Sequence, residues 1–87
     1  SDYAVALLRR AAALKVNELI GASGIMQSIM EGDAATVVAY ASACFALLAV
    51  TSGPLPPEVQ GMVQQVGTDI AATLFQSVGV QPAPQDP

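Results

Sequence analysis

The chain has 87 residues, 53% of them hydrophobic and only 11% charged, with a net charge of −4 and no His. That length holds one small domain, and the composition excludes a disordered chain and a collagen-like or disulfide-bonded one. Three basic residues against seven acidic ones also exclude a nucleic-acid binder, because phosphate contacts need clustered Lys and Arg.

Asp2 is placed to cap a first helix over about 3–20, a stretch free of Gly and Pro. Two apolar stripes run along it at steps of three and four. Val5, Leu8, Ala12, Val16 and Leu19 form one; Tyr3, Leu7, Ala11 and Leu14 form the other. A surface helix carries one such stripe, so two point to packing on both sides, as the centre of a three-helix core or as a contact in an assembly. Arg9, Arg10 and Lys15, the only cations, also lie here; they interrupt any signal-peptide core and stand ready for acidic ends of another copy. A first residue that is Ser fits either loss of an initiator Met or removal of a leader.

Gly21 to Gly24 predicts a break, since each Gly costs roughly 1 kcal/mol in a helix interior. A helical turn over 25–31 follows, with Met26 and Met30 read as core filler. Gly32 then suits a helix C-terminus and Asp33 the start of the next helix.

Residues 34–51 read as a third helix without charge, Gly or Pro, inside an uncharged run from Ala34 to Pro57. At 1.5 Å per residue it is about 25 Å long, on the boundary between a buried core helix and a short membrane span. Ala35, Ala39, Ala43 and Ala46 recur at steps of four and three, a row that lets another helix approach closely. Cys44, the only Cys, reads as a buried inert thiol.

Gly53, Pro54, Pro56 and Pro57 stop this helix, and Pro57 with Glu58 starts a fourth over 57–78. Val59, Met62, Val63, Val66, Ile70, Leu74 and Val78 mark its apolar face, and Gly61 and Gly67 offer close approach. Gly79 ends it. Residues 81–87 form a Pro-rich tail behind a single helical domain over 1–80, and a neighbouring copy is the expected anchor for that tail.

The fold class expected is therefore all-α: a small Ala-rich bundle or hairpin of three helices plus one short helical turn, completed by oligomerisation. Helices 34–51 and 57–78 would form the hairpin, with the first helix packing on a neighbouring copy. No enzyme is expected. Without His, acid–base work falls to scattered carboxylates, of which Glu31 and Asp33 sit closest together, and structural zinc lacks ligands. No cofactor, no metal and no nucleic acid is called for.

A chain of 8.8 kDa buries only about 63% of its unfolded surface, too little to hide every apolar side chain here. The function expected is a non-enzymatic assembly subunit, a filament or coat protein whose apolar helices are buried against other copies or a partner helix. In composition alone, with no shared motif, the chain is similar to subunits of helical filaments and coats. The interface residues expected are Leu7, Leu14, Ala35, Ala39, Ala43, Val59, Val66 and Ile70. One alternative is a small single-span membrane protein with residues 34–52 in lipid and the N-terminus cytoplasmic. Another is a helical carrier of an apolar ligand, lined by Met26, Met30, Phe45, Leu48 and Phe75. A secreted assembly or a membrane location is favoured over a cytoplasmic monomer.

Overall fold

A carboxylate at the right place starts the longest apolar helix. Asp33 accepts from the Thr36 N–H at 3.2 Å and from the Thr36 hydroxyl at 2.6 Å, satisfying a donor that the first helical turn leaves free. From there α3 runs over Ala34–Thr51 and stops at the Gly-Pro segment, where the Gly53 N–H closes on the Val50 carbonyl at 3.2 Å.

The structure is a computed structural model that describes residues 2–51, 53–54 and 56–83, without the side chains of residues 2, 22 and 23. Within it the protein is all-α, with α1 at Asp2–Ser23, α2 at Ile25–Met30, α4 at Pro57–Gln60 and α5 at Val63–Val78 around α3. Capping by the Asp2 side chain and the tail beyond residue 83 lie outside the described residues, as does Ser52 of the candidate span.

α3 is the centre. It packs most extensively on α5 and next on α1, while α2 closes one end against all three. The core joins Ala12 and Val16 of α1, Ile25 and Ile29 of α2, Val37, Ala41, Phe45 and Ala49 of α3, Val59 of α4, and Val66, Ile70, Ala71, Leu74 and Phe75 of α5. With extents of 35 × 31 × 18 Å, the molecule is flat, about two helix layers thick.

Several boundaries depart from expectation. Helix α1 continues through Gly21 to Ser23 and ends at Gly24, which takes φ 78°. Core contacts on either side, Val16 before and Ile25 after, outweigh the propensity cost of one Gly. The helix expected over 57–78 is divided in two. At Gly61 and Met62 the backbone tightens, and the Met62 N–H reaches the Val59 carbonyl three residues back at 3.0 Å. Met26 and Met30 are exposed; α2 is short, and turning Ile25 and Ile29 inward puts the two Met residues about a quarter-turn away.

The first helix, expected to pack on a neighbouring copy, packs on this chain's own α3, through the Ala12–Val16 stripe. The described part of the tail, residues 81–83, finds an anchor inside the chain. Its Ala83 N–H donates to the Gly32 carbonyl at 3.0 Å, and Val80, just before it, packs against the core. Gly32 permits this twice over. Its φ of +71° disfavours a side chain, and a Cβ there would stand 3.1 Å from the Gln81 carbonyl oxygen and 3.2 Å from the Ala83 nitrogen.

Candidate functional site

The chemistry-bearing groups are dispersed or engaged. Arg9 Nη2 lies 2.7 Å from Asp69 Oδ2, tying α1 to α5, and Gln65 donates to the other Asp69 oxygen at 2.9 Å. One of the cations read as available to another copy thus finds its acid within the chain. Lys15 and Glu18 stand 4.0 Å apart on α1, while Arg10 makes no ion pair among the described residues. The hydrogen bonds from Thr36 hold the exposed Asp33 carboxyl below its ordinary range. Burial pushes the Cys44 thiol up, against a smaller opposing pull from the Lys15 charge, so the thiol stays protonated at neutral pH. Among the described residues, no three of His, Cys, Asp and Glu come together.

Apolar surface is what the fold leaves available. On α1 the second stripe faces away from the core: Tyr3 is 75% exposed, Leu7 51% and Leu14 57%, with Ala11 and Arg10 beside them. On α3 the row Ala35, Ala39 and Ala43 is exposed and leads to Leu47, 64% exposed, and Val50. Every fully exposed residue of α3 is Ala, Thr, Leu or Val, and no charge divides this face. Since α1 and α3 meet through their core faces, these two open faces look out from opposite sides of the molecule.

The expected interface residues therefore separate into two groups. Leu7, Leu14, Ala35, Ala39 and Ala43 lie on open faces, whereas Val59, Val66 and Ile70 are buried in the chain's own core. Period alone marks a face as apolar without saying which element covers it. The sequence reading missed Leu47 and Val50 as surface, although both fall on the Ala35–Ala39–Ala43 side of a 3.6-residue helix.

Close approach between helices occurs elsewhere than on the Ala row. α5 meets α3 at Gly67, where a Cβ would collide with the Ser42 hydroxyl and stand 2.9 Å from the Ser42 backbone nitrogen. The Ser42 hydroxyl is buried there without a hydrogen-bond partner, and so, on another side of α3, is the Tyr40 hydroxyl. Beside this crossing an open groove of about 630 Å3 is lined by Ala34, Ala35, Val38, Ala39, Ser42, Val63, Gln64 and Thr68. None of the five residues expected to line an apolar-ligand cavity belongs to it. Phe45 and Phe75 are core, Leu48 is half-buried, and Met26 and Met30 are on the surface.

Comparison of the chain with models of protein families, with curated proteins and with solved structures finds no match.

Proposed function

We propose that the protein is a non-enzymatic assembly subunit, whose open faces on α1 and α3 are buried against other copies of itself. The observation that carries this reading is the charge-free outer side of α3, backed by Tyr3, Leu7 and Leu14 on the far side of the molecule. Covering apolar area yields about 25 cal/mol per Å2, and burying both faces has to exceed the roughly 4–15 kcal/mol that association costs. Light scattering across micromolar concentrations, without detergent, tests the reading. Mass that grows with concentration supports it; a monomer throughout removes it.

A second reading has one observation of its own. By length and composition α3 is a helix that can cross a membrane. Against it, Val37, Ala41, Phe45 and Ala49 pair one side of α3 with α1, α2 and α5, whose core residues would lose their cover if α3 alone entered lipid. Carbonate extraction of membranes separates the two. Retention in the pellet favours the span, and release favours the assembly.

A further inference from the structure

The assembly reading leaves open which face meets which, and the two open faces differ in shape and in charge. Along α1, Tyr3, Leu7 and Leu14 project large side chains over about 16 Å of helix. Along α3, Ala35, Ala39 and Ala43 form a shallow row over about 12 Å, closed at one end by Leu47. A ridge of large residues fits a row of small ones, whereas two ridges or two flat rows fit poorly. Charge follows the same division. Arg10, a cation with no ion pair among the described residues, stands within the α1 face. The α3 face carries no charge along its length, and Glu31 and Asp33 stand exposed at the end where it begins.

We infer that the copies join head to tail, the α1 face of one on the α3 face of the next. This pairing rests on the assembly reading above. It is heterologous, and with the two faces on opposite sides of a flat molecule each added copy presents a fresh face, so growth continues into a chain or ring. A self-pairing of α1 faces would instead bring two Arg10 residues together and stop at a dimer.

Two single substitutions test the pairing, Leu14→Glu and Ala43→Glu. Both positions are exposed, so circular dichroism should match that of the parent chain. In sedimentation velocity each variant alone is expected to lose at least tenfold in association constant. Mixed in equal amounts, they are expected to form a species of twice the single-chain mass and nothing larger, because each keeps the face the other has lost. A mixture as monomeric as its parts overturns the inference, and so does an Ala43→Glu variant that assembles like the parent. In that second case assembly itself still stands. A parent chain that stays monomeric at every concentration removes the assembly reading together with the inference.

Discussion

The two sides of α3 have the same apolar character in sequence and opposite fates in the structure. Ala41 and Phe45 are sealed against α1 and α5, while Ala39 and Ala43, two residues away in either direction, lie open. What separates them is the supply of covering helices. A chain of 87 residues provides α1 and α5, with the short α2 at one end, and these cover one side of a helix that is apolar all round. α5 makes the opposite use of its surface. Val66, Ile70 and Leu74 of its apolar stripe are buried, Gln64, Gln65 and Thr68 face outward, and only Val78 at its end is left exposed.

Substitutions that break the sealed side should have the largest effects. Phe45 is fully buried, and Phe45→Ala should cost about 3–5 kcal/mol, enough to abolish cooperative thermal unfolding in a domain this small. Next comes Gly67→Ala. The added methyl raises helix propensity by about 1 kcal/mol but forces the α3–α5 crossing apart at Ser42, and a net loss of about 1–3 kcal/mol is expected in urea denaturation. Removing the hydroxyl there sharpens the same point. Ser42→Ala deletes a buried group that has no partner, so stability should stay level or rise slightly. Smallest is Arg9→Ala. Its ion pair with Asp69 is about two-fifths exposed on each side, and a loss within about 1 kcal/mol, shrinking as salt is added, is expected.

Much of this comparison was legible in the sequence. Period 3.6 placed Ala12 and Val16 on one face of α1 and Tyr3, Leu7 and Leu14 on the other, and the Asp33 cap and the Gly-Pro stop bounded α3 closely. What periodicity does not carry is partnership. Val59, Val66 and Ile70 look as suited to an interface as Leu7 and Leu14, and only the three-dimensional packing assigns them to the core. The Ala row looked like the seam for the nearest helix, yet the seam runs through Ser42 because its partner Gly67 has no side chain. Local propensity put the break at Gly21 three residues early, since core contacts carry α1 on to Ser23, and the apolar period carried one helix across Gly61, where a tightened turn divides it.

One side of α3 is committed to the fold, and the other is the side proposed to meet neighbouring copies. Ala39→Glu and Ala41→Glu place the same charge two residues apart on those two sides. Measured together by circular dichroism and sedimentation velocity, Ala39→Glu should keep the parent's helix content and lose its concentration-dependent mass. Ala41→Glu should lose the helix signal itself, since a carboxylate there is buried without a partner. An Ala39→Glu variant that is folded and associates as the parent does would contradict the claim.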